Sequence, residues 1–370
     1  MRFDVFAFAS TMAVSLSLGG FADGKDKTTE MKNSSDSGTM RRANAEMQKV
    51  LMKLDQLGPK PLGSVDAVEA RKQPTPADAV AAVLKEQGKD PEKMKMELGV
   101  TTQDITYPGA DGSQIPARIY KPSGISAGLL PVVLYIHGGG WVIADIDTYD
   151  ASPRALAKKT NAILVSVHYR QAPENKFPAS HEDTVAAYKW VLANAQSWGG
   201  DAKRVAVVGE SAGGNMAVNV AIAARDQKLQ MPLGIVAVYP VAGVNTDTAS
   251  YHTNKKAKPL GKAGMEWFFN NETNGTTDLK DPRLDLVNKA DFKGLPPTAI
   301  ITDNIDPLMS EGQKLGKKMQ SAHVKVTSRN YAGVTHEFFG MGAVIKLADE
   351  AENFAAGELK KVFAEKTAVN

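Results

Sequence analysis

An α/β fold, with an open, mostly parallel sheet flanked by helices, is predicted by three features of this 370-residue sequence. Short apolar runs rich in β-branched residues recur at 131–136, 161–169, 205–208, 234–241 and 297–302, the pattern of strands buried on both faces. Helical patterns separate them, at 181–198, 215–225, 308–321 and about 349–365, and this alternation is the mark of a parallel sheet. Chemically specialised residues follow these strands, at 137–141, Ser211 and Asp306, and His336 follows a further strand predicted over 324–331. In open α/β sheets, ligands bind beyond the carboxyl ends of the strands.

Composition sets the bounds. The hydrophobic fraction of 43% and charged fraction of 23% suit a globular chain. A formal charge of +3, without a basic cluster interleaved with aromatics, argues against nucleic acid as a partner. Cysteine is absent, so disulfides, thiolate metal sites and a cysteine nucleophile are excluded.

Residues 1–22 begin with Arg2, continue through a short apolar run and reach Gly20-Phe21-Ala22. This reads as a secretory signal peptide, which predicts a periplasmic or secreted protein. The run is shorter than the roughly 20 residues that span a bilayer, so no stable membrane insertion is expected after processing, with an uncleaved anchor as the alternative. Residues 23–40 are polar and aperiodic and read as a flexible linker. Helical spacing at 41–57, and a second helix over 76–87 with Thr75 as N-cap and proline in its first turn, make 41–100 a helical cap segment. Two readings of it stand: surface helices that complete the core, or a lid over a site.

The main domain, 101–370, opens with β-rich segments at 102–107 and 115–120 around Gly109-Ala110-Asp111-Gly112, a hairpin signal. Strand 131–136 runs into His137-Gly138-Gly139-Gly140-Trp141, where three glycines let the backbone approach a ligand closely. In the following loop, Arg170 and Glu174 are expected to pair locally. The stretch 242–280 is loop-rich and carries the apolar patch Met265-Glu266-Trp267-Phe268-Phe269, a second cap segment.

The most specific stretch is 205–214. Four apolar residues predict a buried strand, Gly209 a sharp turn and 215–225 a helix. Ser211 therefore lies in Gly209-Glu210-Ser211-Ala212-Gly213, a G-x-S-x-G nucleophile elbow in its strand–turn–helix context. The tight turn projects the hydroxyl, and the N–H that follows it, at a helix start, is free to meet an oxyanion.

Taken together, H-G-G-G-W at 137–141, Y-R-x-A-P-E at 169–174, G-E-S-A-G-G at 209–214, D-P-L at 306–308 and H-E-F-F at 336–339 resemble the hormone-sensitive-lipase-like carboxylesterases of the α/β-hydrolase fold. The resemblance covers roughly 100–365, with Glu210 and Gln171 as departures from that branch's common residues. It implies Ser211 as nucleophile, His336 as base and Asp306 as the acid that orients it. The D-P-L match favours Asp306 over Asp303. Backbone N–H groups of Gly138, Gly139 and Ala212 are the implied oxyanion donors, and Trp141, Trp267 and Phe268 the expected substrate-pocket residues. The implied substrate is a small-molecule carboxylic ester of short to medium chain, with no metal or cofactor. Two alternatives are an amidase or peptidase with the same triad and a non-catalytic ligand-binding protein on this scaffold. A homodimer is left open.

Overall fold

In the computed structural model, residues 37–124 and 128–367 are described. The proposed leader lies outside them. The last residues assigned to the linker, from Ser37, are already helical, in Ser37–Arg42. The predicted helix over 41–57 is interrupted at Asn44, whose side chain accepts from the Met47 N–H (2.8 Å) and starts a new helix, Ala45–Leu57. Thr75 caps Pro76–Glu86 through a full capping box with Asp78.

One sheet of eight strands runs through the described residues in the order β1-β2-β4-β3-β5-β6-β7-β8. β1 (Val100–Pro108) and β2 (Gln114–Pro122) form the predicted hairpin, and β2 pairs antiparallel with β4 (Ile163–Val167). From there on every pairing is parallel, through β3 (Leu130–Ile136), β5 (Gly200–Glu210), β6 (Ile235–Val238), β7 (Thr298–Ile305) and β8 (Val326–Thr335). The apolar runs are continuous because the central strands are covered on both sides. Val132, Leu134 and Ile136 enter one core with helices Ala179–Asn194 and Ala212–Asp226. Val133 and Tyr135 enter the other, with Ala151–Thr160 and Lys346–Thr367. Parallel strands all present their carboxyl ends to the same side, which is where the site forms.

Among the described residues, two helices of ten or more residues were not legible in the sequence. Ala151–Thr160 starts at Asp150, whose carboxylate takes Arg154 and the Tyr120 hydroxyl instead of capping. Lys262–Glu272 replaces the expected loop and starts at Gly261, which has no capping side chain. Among the described residues, no helix is long and apolar enough to cross a membrane.

Candidate active site

β5 ends at Glu210 and the next helix begins at Ala212, so Ser211 alone makes the turn between them. Its backbone is strained, with φ 56° and ψ −118°. The strain is held by flanking bonds: its N–H donates to Val238 O (2.9 Å), and its carbonyl accepts from Asn215 (3.1 Å) and Val241 (3.1 Å). Such a turn demands glycine on either side. A Cβ on Gly209 would lie 2.1 Å from Gly213 O, and one on Gly213 would lie 2.0 Å from Ile136 O.

The ends of β7 and β8 bring two further groups to this turn. His336 Nδ1 is 2.7 Å from Asp306 Oδ2, and Nε2 is 2.9 Å from Ser211 Oγ. An ionised carboxylate only accepts, so Nδ1 carries the proton and Nε2 is left to accept from the serine hydroxyl. Asp306 is fixed in turn by the Leu308 N–H, which donates to Oδ1 (2.8 Å). All three groups are buried. Burial by itself pushes the imidazole pKa down, but the carboxylates of Asp306 and Glu337 outweigh it, and the net shift is upward.

Asp303 takes no part in the bond to the imidazole, which goes to Asp306. It is fully buried, and neither carboxylate oxygen has a hydrogen-bond acceptor or donor assigned to it. Burial, reinforced by the charge of Asp306, pushes its pKa well up, which favours its protonated form. Ligand atoms of Asp303, Asp306 and His336 lie within 4.8 Å of one another. However, the Asp306–His336 hydrogen bond occupies the atoms that a cation would need, which is the geometry of an oriented base.

Glu210, the residue before the nucleophile, is buried under it and receives the hydroxyls of Tyr135 and Tyr239. Burial raises its pKa to about 7 despite those donors. Three polar groups beside the nucleophile, Tyr149, Glu337 and His168, have no role assigned from the sequence. Tyr149 donates to Glu337 Oε1 (2.7 Å), and that oxygen lies 3.6 Å from His336 Nε2. His168 stacks on His137, with Nδ1 3.0 Å from His137 Nε2. Burial, foremost, lowers the His137 pKa to about 3, so this pair is neutral and shapes the glycine loop.

The loop itself packs too tightly for side chains. A Cβ on Gly138 would sit 2.3 Å from the Tyr149 hydroxyl, one on Gly139 (φ 87°) 2.1 Å from Ile143 O, and one on Gly140 2.2 Å from the Phe268 ring. Ala212 occupies the first turn of its helix, where an N–H has no partner within the helix.

Ser211 and His336 open into a cavity of about 280 Å³ together with Gly139 and Gly140. Leu62, Ala70 and Pro76 from the first cap segment, and Leu260 and Phe268 from the second, line it as well. Of the three expected pocket aromatics, only Phe268 reaches this wall. Trp141 is fully buried, its ring against His181 and Phe269, because its φ of 64° carries it off the end of the glycine run into the core. Trp267 turns outward on its helix and donates to Val65 O (3.1 Å), which ties the two cap segments together.

The expected local pair of Arg170 and Glu174 does not form. Arg170 binds Asp183 and Asp111. Glu174 is held by Arg71 of the cap, whose guanidinium also donates to Val142 O (2.8 Å) and Ala172 O (2.7 Å). Arg71 lowers the Glu174 pKa to about 2. From the other side, Gln171 Nε2 donates to Ile143 O and Ala144 O, both at 2.9 Å. The glycine loop is therefore anchored by side chains from outside it.

Known proteins are similar to this chain in sequence and fold. The family described as alpha/beta hydrolase fold matches residues 133–340. Carboxylesterase NlhH of Mycobacterium tuberculosis is 35% identical over 78% of this chain and 91% of its own. Ethyl acetate hydrolase of Pseudomonas putida is 30% identical over 78% and 88%. Among solved structures, a thermostable esterase of Pseudomonas putida superposes with a TM-score of 0.75 at 29% identity, covering 87% of this chain and 98% of that one. With the sheet order, the strained serine elbow and these relatives in agreement, the chain belongs to the α/β-hydrolase family, in its hormone-sensitive-lipase-like carboxylesterase branch.

Proposed function

We propose that this carboxylic ester hydrolase acts on short- to medium-chain esters through Ser211, His336 and Asp306 and an acyl-enzyme. The observation that carries the reading is the continuous hydrogen-bonded chain Asp306–His336–Ser211 on the floor of a largely apolar cavity. Ser211 Oγ attacks the ester carbonyl as its proton passes to Nε2. The same proton then goes to the leaving alkoxide, and water, deprotonated by Nε2, releases the acid. Asp306 keeps the imidazole in the required tautomer and stabilises the imidazolium. N–H groups of Gly138, Gly139 and Ala212 are the donors we assign to the oxyanion, a role worth about 10²–10³ in rate per donor in serine hydrolases.

The two cap segments bound the cavity, so acyl length is selected by burial. Each methylene that fits gains about 0.8 kcal/mol, and one that does not fit gains nothing. With p-nitrophenyl esters of increasing length, kcat/KM is expected to climb, peak and then fall sharply, while the matching anilide is turned over far more slowly. Phe268→Ala removes the ring that closes the wall over Gly140 and is expected to move the peak to longer chains. A flat profile, or one still rising at long chains, would refute the bounded pocket.

We also propose that residues 1–22 are an export signal, so that the mature chain begins near Asp23 in the periplasm or medium. Mass spectrometry of the protein from its native host reads this directly. A soluble chain that retains the first 22 residues would rule out export by this route.

A further inference from the structure

We propose that Glu337 is a second counter-charge for His336, standing beside Nε2 while Asp306 holds Nδ1. The imidazolium formed during acyl transfer is then flanked by a carboxylate at each nitrogen. This rests on His336 being the base, and the experiment below separates the two ideas. Glu337 faces the active-site cavity, with Oε1 3.6 Å from Nε2. That distance is too long for a hydrogen bond but short for a charge. When Ser211 Oγ bonds to the carbonyl carbon, its proton moves to Nε2. That proton stays directed at the 2.9 Å oxygen position rather than at Glu337, and it leaves on the departing alkoxide. The carboxylate thus favours the cation without capturing the proton.

Two features hold Glu337 at this standoff. Its Oε1 accepts from the Tyr149 hydroxyl (2.7 Å), and that hydroxyl occupies the space where a Gly138 side chain would begin. Its backbone has φ 72°, a conformation that favours glycine, yet a charged side chain is carried there. The other groups acting on the imidazole are Asp306, Ser211, the Glu210 carboxyl, whose charge also favours the cation, and the ring of Tyr239, 4.6 Å away with its hydroxyl turned to Glu210. Asp303 stands behind Asp306, its protonated form favoured by burial. The nearest cation in the cavity wall, Arg71, is engaged by Glu174. Burial raises the Glu337 pKa above the ordinary carboxyl value, against the lowering by the His336 cation and the Tyr149 hydroxyl, and no other cation lines the cavity wall among the described residues.

Removing that charge makes the imidazolium harder to form. The acidic limb of kcat/KM against pH, measured with an uncharged short ester, is expected to move to lower pH in Glu337→Gln. The shift should be at least about half a pH unit, the least that a unit charge at this range exerts even through water. Plateau kcat is expected to fall severalfold. Glu337→Gly should shift the limb equally while keeping or raising Tm, since glycine suits the backbone. That separates charge from structure and covers a failure of the glutamine variant to fold. An NMR titration of the His336 ring gives the same midpoint shift without turnover. An unmoved or upward-moved midpoint in folded variants overturns the proposal, whereas full activity in His336→Ala would overturn the base assignment itself.

Discussion

Ser211→Ala is expected to lower kcat for a short-chain ester by about 10⁴–10⁶, with the fold and Tm unchanged. The hydroxyl is the attacking group, and no neighbouring side chain offers another: Glu210 beneath it is taken up by two tyrosines. Alanine keeps the same Cβ and the same strained φ, so the elbow should survive. His336→Ala should cost a similar factor, and the double variant little more than either single one, because nucleophile and base act as one unit. Wild-type turnover by a folded Ser211→Ala protein would end this assignment. In the parent enzyme, kcat/KM should rise with pH as His336 loses its proton. The midpoint should lie above the ordinary imidazole value, since the two carboxylates beside it raise the pKa. A flat profile through that range would count against the base.

The next largest effect is expected at Asp306. Asp306→Asn should cut kcat by about 10⁴, the scale seen when a serine hydrolase loses this charge. An amide cannot stabilise the imidazolium as a carboxylate does, and it can present N–H to Nδ1 and select the wrong tautomer. Asp303→Asn should cost no more than about tenfold, because burial favours the protonated form of Asp303 and an uncharged amide of the same shape replaces it. Steady-state kinetics on both variants decides the matter, and the reverse ranking would transfer the acid's role to Asp303.

What the sequence made legible follows from which constraints are local. The elbow could be read because Gly209 is demanded by backbone atoms of the turn itself; the demand on Gly213, from Ile136 O at the end of β3, is distant in sequence and was read only through the motif's spacing. The parallel sheet could be read because strands covered on both faces must be apolar throughout. Helices whose first residue makes an ordinary cap, such as Thr75, were equally plain. Those starting at Asp150 or Gly261 were not, since Asp150 spends its carboxylate on Arg154 and glycine has none. Contacts between distant segments were hidden altogether. Glu174 has Arg170 four positions away, yet it is paired across 103 residues with Arg71. Trp141 looked like pocket surface from its place beside the glycines, and a single positive φ sends it into the core. Tyr149 and Glu337 meet only because the loop after β3 passes under the end of β8.

The bond pattern of Arg71 limits how this enzyme can be recombined. Its ion pair with Glu174 is part-exposed and by itself worth at most about 1 kcal/mol. Its two bonds to backbone carbonyls are made wherever the guanidinium is present, whatever side chains stand at 142 and 172. A chimera that takes its first 100 residues from a relative therefore inherits or loses support for the glycine loop at a position outside the loop and outside the catalytic core. Cap and core are not interchangeable parts here. What a transplanted cap must carry is Arg71 itself, since its bonds to the Val142 and Ala172 carbonyls need no particular side chain in the core, and Glu174 adds only the smaller ion pair.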